Sequence, residues 1–156
     1  MTSKTQLQNK IQELEAELQS FKSQLNNYKV PTLQEASVGD TLEDGSIVLS
    51  KENGLALLIA PKSTEVACKW SQDFPEVYAK LKNEGFNPSQ WFVPTKEQLK
   101  LAYVRLTNEF SSTIYWSSSE VSSAGACTQY FRFGSFFISG SKADSYRVRA
   151  FRCVTY

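Results

Sequence analysis

Residues 114–120 read Ile-Tyr-Trp-Ser-Ser-Ser-Glu, which sets three hydroxyls, Ser117, Ser118 and Ser119, between two large aromatics and an acid. A serine becomes a nucleophile only when a base takes its proton, and the commonest base is a histidine oriented by a carboxylate. The chain has 156 residues and no histidine. A Ser-His-Asp or Cys-His site within one chain is therefore excluded, as are an HExxH zinc site and any other His-ligated metal. A lysine base would call for an SxxK box, and nothing in the sequence resembles one. The serines read instead as residues at a strand end or in a loop, with Tyr115 and Trp116 closing a core strand. Glu120 has no second acid or ligand cluster near it in sequence, so it reads as a cap on backbone amides or the partner of an arginine. No catalytic residue, no metal ligand and no cofactor is expected.

Cys68, Cys127 and Cys153 are odd in number and lack CxxC spacing. They read as three buried thiols; were a bridge to form, Cys127 and Cys153 would be the pair, since both fall in predicted C-terminal strands. Basic and acidic side chains nearly cancel, 17 against 16, and no basic stripe is visible. Nothing there points to nucleic acid or anionic membrane as a main partner, and neither is expected. The opening MTSKTQLQNK has no apolar h-region and no segment reaches the length of a membrane span, so the chain is expected to start out in a cytosol.

The elements that carry these residues fall into two parts, an N-terminal stalk over 1–30 and a globular head over 31–156. Between Lys4 and Lys29 there is no Gly or Pro, and Leu7, Ile11, Leu14, Leu18, Phe21, Leu25 and Tyr28 recur at alternating steps of four and three. This is a heptad seam with Ile11, Leu18 and Leu25 at a and the other four at d. The remaining faces are polar, so the stripe is as narrow as a coiled-coil seam. In a parallel, in-register bundle Lys10 at g meets Glu15 at e of a neighbour, and Glu17 meets Lys22; these pairs select orientation more than they add energy. Phe21 and Tyr28 at d ask for a core wider than a dimer's, so a homotrimer is expected. The coil would be roughly 37 Å long and marginal on its own. Pro31 stops it.

Past Thr32 the period changes. SIVLS (46–50) and LALLIA (55–60) flank Asn53-Gly54 and predict a hairpin. Phe74, Val77, Tyr78 and Leu81 predict a helix that Gly85 ends. Thr95 and Gln98 form a capping box ahead of a second helix with Leu99, Ala102, Tyr103 and Leu106 on its buried stripe. Residues 127–133 and 136–139 predict strands either side of Gly134-Ser135. A last strand over 146–154 is expected to turn Tyr146, Val148 and Ala150 inward and Arg147 and Arg149 outward, with a bulge or change of face at Phe151-Arg152.

The order GLALLIAP, WFVPTKEQLKLAY, YWSSSE and SKADSYRVRAFRCV resembles the C-terminal domain family of collagen-like bacterial adhesins, widespread in phage and bacterial surface proteins. Tyr115–Glu120 matches that family's Y-W-S-S-[ST]-E in full. Trp91–Thr95 matches its W-x-[LV]-P-[ST], with Gln98 where an acid is common, and Arg147–Arg152 matches its closing pattern loosely. The resemblance spans about residues 40 to 154 and leaves the stalk uncovered. It implies an α+β, C-type-lectin-like head after the N-terminal parallel coiled-coil helix: two helices, a sheet tying the N- and C-terminal strands together, and a smaller sheet bearing long loops. It also implies trimeric display and binding in place of catalysis. Formylglycine-generating enzymes share the broad architecture, but the motif around their reactive cysteines is missing here, as is the calcium motif of sugar-binding lectins.

The expected role is that of a non-enzymatic phage fibre or decoration protein, assembled in the host cytoplasm and exposed on the virion. It would be anchored to other virion proteins and would attach to a host-surface glycan or protein. The alternative is a purely structural capsid, neck or tail component. Ligand contacts are expected on the loops after Trp116 and around 134–145, where Tyr130, Arg132, Phe136, Phe137, Lys142 and Asp144 mix aromatic and charged groups. Alternation along the strands requires about half of Phe131, Phe133, Phe136 and Phe137 to be core.

Overall fold

Ser3 opens the first helix with a capping box that sequence reasoning missed: its Oγ accepts from the Gln6 amide and Gln6 Oε1 accepts from the Ser3 amide. The helix, α1 (Lys4–Asn27), ends as Tyr28 turns extended. The computed structural model describes residues 3–156 apart from the side chains of 136–139, and the chain divides into two units, Met1–Val30 and Pro31–Tyr156. No residue of α1 is buried. The seven seam residues are between 51% and 72% exposed. Lys10 holds Glu13 of its own helix at 2.7 Å, a surface pair that contributes little.

The second unit is α+β. Strands β1 (Ile47–Glu52) and β2 (Leu55–Ile59) pair antiparallel around Asn53 and Gly54, whose φ values of 52° and 76° are those of a two-residue hairpin turn. Strand β8 (Phe151–Thr155) completes this three-stranded sheet beside β2. The first strands of the head are thus tied to its last. A second sheet has the order β3-β7-β4-β5-β6, built from Val66–Lys69, Ser145–Val148, Ile114–Glu120, Gly125–Tyr130 and Phe136–Ser141. Its β4–β7 pair is parallel and the others are antiparallel. The loop-bearing sheet is the larger of the two, the reverse of the size order implied by the resemblance.

Helices α2 (Pro75–Asn83) and α3 (Lys96–Leu106) cover two separate cores. On the α2 side Val77 and Leu81 pack with Trp91, Trp116, Val148 and Ala150. On the α3 side Leu99 and Ala102 pack with Phe110, Tyr115, Phe131 and Phe151. Adjacent strand residues point to opposite faces, so Tyr115 and Trp116 each seed a different core. A third cluster sets Val48, Ala56 and Leu58 under Ala36 of the entry segment. Lys51 fastens that segment, its Nζ donating to the carbonyls of Leu33, Gln34 and Ala36 at 2.8, 3.0 and 2.9 Å.

Several expectations need correction. Helix α2 begins at Pro75, because Phe74 takes a left-handed backbone (φ 40°) that a helix cannot continue; its ring still reaches the core. Strand β5 stops at Tyr130, and residues 131–135 form a longer turn than Gly134-Ser135 alone. The expected strand over 146–154 is two strands in different sheets, broken at Arg149-Ala150. Arg149 is only 1% exposed there and does not face solvent. Its guanidinium satisfies carbonyls that the crossing chain leaves unpaired, donating to Ala60 O and Glu109 O.

Gly140 of β6 lies against the α2-side core. A Cβ added there would sit 2.8 Å from Thr128 Cγ2 and 3.0 Å from the Trp116 ring. Both neighbours are buried and cannot step aside. Gly140→Ala should therefore cost about 1–3 kcal/mol through overpacking, read as a lowered urea midpoint with an unchanged slope.

Candidate functional site

The serines of 117–119 lie within β4, not in a loop after it, and the register slips between Trp116 and Glu120. Each hydroxyl is committed to the backbone. Ser117 Oγ is buried and donates to Cys127 O at 2.8 Å while accepting from the Ser119 amide. Ser118 Oγ donates to Pro94 O, and Ser119 Oγ accepts from the Lys96 amide at 3.0 Å, at the start of α3. The bulge splays the run so that it grips the strand beside it and the segment entering the helix. That is a structural use of the three hydroxyls. Trp116 anchors the same strand through its indole, which donates to Cys68 O at 3.0 Å.

Glu120 pairs with a lysine, not an arginine: Lys142 Nζ lies 2.6 Å from Glu120 Oε1 and 4.2 Å from the Trp70 ring centroid. Trp70 in turn donates its indole N–H to Ser117 O. This latch ties the end of β4 to the turn between β6 and β7. Asp144, in that turn, accepts from the Tyr146 hydroxyl at 3.1 Å. Two of the six residues singled out for ligand contact, Lys142 and Asp144, therefore already have partners inside the head. Phe136 and Phe137 lie on β6, and their side chains lie outside the described residues.

The remaining two stand at the 131–135 turn. Tyr130 is half-buried, and its ring meets Phe133 edge-on at 5.2 Å between centroids. Arg132 is exposed, with its guanidinium carbon 5.0 Å from the Phe133 centroid. Phe133 itself, which carried no assignment, is 65% exposed. Its neighbour Phe131 goes the other way and stacks on Phe110 at 4.2 Å. Gly134 adopts φ 70° with its Cα against the Tyr103 ring, where any Cβ would lie 2.5 Å from the hydroxyl oxygen. Glycine is the residue that fits both demands. The only sequence signal for this arrangement was Gly134.

Behind the strands lies a buried charge cluster that sequence reasoning did not foresee. Glu65 accepts from the Tyr115 hydroxyl at 2.7 Å and from Arg147 at 3.0 Å, and its other buried neighbour is Arg149 at 3.7 Å. Burial, reinforced by the bond to Glu65, pushes the Tyr115 hydroxyl up to about 12. Arg149 is shifted downward by burial, against the opposing pull of Glu65. Among the described residues no group of three or more Cys, Asp or Glu side chains could hold a metal ion. Nor is any described helix long and apolar enough to cross a membrane.

All three cysteines are thiols, and Cys127 and Cys153 lie in different sheets. Cys68 and Cys127 are buried, whereas Cys153 is exposed on β8 and corrects the expectation of three buried thiols. Burial, helped by Glu76, pushes Cys68 up to about 11, and burial likewise raises Cys127. The thiolate is the reactive form. A thiol reagent at pH 8 should therefore titrate Cys153 promptly in the folded protein and reach the other two only after denaturant is added. Prompt reaction at all three would mean that the head opens readily.

No known protein-family model matches this chain, and no curated protein matches it either.

Proposed function

We propose that this chain is a non-enzymatic phage virion module, a fibre or decoration protein whose N-terminal helices bundle three copies and whose C-type-lectin-like heads attach to the host surface. The observation that carries the reading is the seam of α1. Seven large apolar residues at heptad spacing stand in water along a helix with no buried residue. Leaving such a stripe exposed is costly, and side-by-side copies remove it from water. The head supports display in several ways. A sheet joins β1 and β2 to β8, two helices flank the strands, and turns at 121–124, 131–135 and 142–144 are carried by the larger sheet. The sheet that joins first and last strands and the pair of helices support the lectin-like reading, although the sheet sizes are the reverse of those the resemblance implies. The serine hydroxyls engaged by backbone support binding over catalysis. Three heads on one stalk would turn a weak contact into firm attachment through effective concentration.

Light scattering tests the premise. The full-length protein should weigh three times the 17.6 kDa chain, and a chain starting at Thr32 should weigh the same as one head. A full-length protein that is monomeric at micromolar concentration would overturn the reading. Whole-cell binding by the trimer, weakened many-fold in the isolated head, would separate host attachment from a purely structural place in the particle.

A further inference from the structure

Among the described residues Phe133 is the most exposed aromatic side chain of the head, and the turn that carries it is pinned by its neighbours. Phe131 plugs the core two residues earlier, stacked on Phe110 and edge-on to Tyr115 and Tyr103. Gly134 donates its amide to Tyr130 O at 2.9 Å, and the Tyr130 amide donates to Ser135 O at 2.9 Å. These two bonds close the turn, and Phe133 stands outward from it. Tyr130 packs against the ring in a T-shaped arrangement at an interplanar angle of 85°. Arg132 lies over the ring and, among the described residues, has no carboxylate partner. Its guanidinium therefore keeps hydrogen-bond donors for something outside the chain.

An exposed aromatic face with a fork of donors beside it matches a ring that is apolar on one face and rimmed by hydroxyls. A pyranose is such a ring. Charge decides which kind. The sequence from Gly125 to Ser141 contains one charged residue, Arg132, and basic and acidic groups balance over the head. A polyanion is gripped by a row of cations, and this hairpin has no row. Resting on the reading of the head as a host-attachment module, we infer that the 131–135 turn is a subsite for a neutral pyranose of a surface glycan. The sugar stacks on Phe133 and takes hydrogen bonds from Arg132.

The test uses the full-length protein on a printed array of neutral hexose and N-acetylhexosamine oligosaccharides beside polyuronates and sulfated glycans. Wild type should bind neutral members. Phe133→Ala should weaken that binding about tenfold or more, Arg132→Ala about three- to tenfold, and Phe133→Trp should keep it, since a larger ring still stacks. Phe133 is exposed, so the thermal midpoint of Phe133→Ala should match wild type. Glycan binding that survives Phe133→Ala would overturn this subsite while leaving glycan attachment standing. Binding confined to polyuronates and sulfated glycans would overturn the ligand class. Failure of wild type to bind any glycan while still binding whole cells would overturn the subsite and redirect attachment to a protein receptor.

Discussion

Arg149→Met should destabilise the head by about 3–5 kcal/mol, the range for removing one partner of a buried ion pair. Arg149 is 1% exposed, and the side chain of Glu65, its counter-charge, is 4% exposed. With the guanidinium gone, Glu65 loses its one fully buried cation, and the carbonyls of Ala60 and Glu109 lose their donor. Arg147 also binds Glu65 but is half-exposed, so Arg147→Met should cost far less. Most of the Arg149 penalty is uncompensated charge. Adding Glu65→Gln to Arg149→Met should therefore recover part of it, a coupling that a double-mutant cycle reads directly. Urea unfolding followed by tryptophan fluorescence gives all four stabilities. A loss under about 1 kcal/mol for Arg149→Met would mean that the cluster does not act as a buried charge pair.

The same cluster sets the response to alkali. Tyr115 holds its proton to about pH 12 in the folded head and to near pH 10 when unfolded. Between those values the native state binds more protons than the unfolded one, so stability falls as pH rises. Its contribution is complete below about pH 10 and is lost through about pH 12, a span worth roughly 2–3 kcal/mol. Cys68, raised from 9.0 to about 11, adds a loss of the same sign that begins lower. Tyr115→Phe should flatten the upper part of the curve at the cost of the bond to Glu65. A curve equally steep in that variant would assign the alkaline transition to other groups.

What the sequence revealed, and what it hid, follows from how local each signal was. Asn53-Gly54 takes the two positive φ values that a two-residue hairpin needs, and Thr95 with Gln98 closes a capping box. In both cases the chemistry lies within a few residues, so the sequence carries it whole. Strand β3 has four residues, ends on a lysine, and is held by β7 some eighty positions away, so no local pattern marks it. Arg149 was misread for a related reason. Alternation assumes one continuous strand, and here the chain changes sheets at that residue. The polar side chain then fills a gap between β-elements that only the topology creates. Phe131 and Phe133 show the same limit at the candidate site. Both are two-residue neighbours that alternation would place on one face, but the turn begins between Tyr130 and Phe131, and the rings part. The serines of β4 read as non-nucleophiles because histidine is absent, but nothing local announced their bonds to Pro94, Lys96 and Cys127, which join segments distant in sequence.

The heptad seam is the feature most fully written in the sequence, and the largest change in assembly should come from breaking it at its centre. Leu18→Lys is expected to convert the proposed trimer to monomers at micromolar concentration. Leu18 occupies an a position with Leu14 and Phe21 as the flanking d layers. Burying a leucine contributes about 1.5–3 kcal/mol, and a trimer does so three times in one layer. The substitution removes that and sets three ammonium groups together on the axis. Glu17→Lys makes a sharp contrast. It reverses a flanking charge in the same turn but touches only an exposed pair, so it should shift assembly by less than about 1 kcal/mol per contact. Sedimentation or light-scattering mass reads both, and helicity by circular dichroism follows it, since an isolated helix of this length is marginal in water. The two variants also separate self-association from packing of α1 on its own head. In the first case Leu18→Lys lowers the mass and leaves the unfolding midpoint of the head where it was. In the second the mass stays that of one chain throughout and the midpoint falls, an outcome that would remove the basis for display.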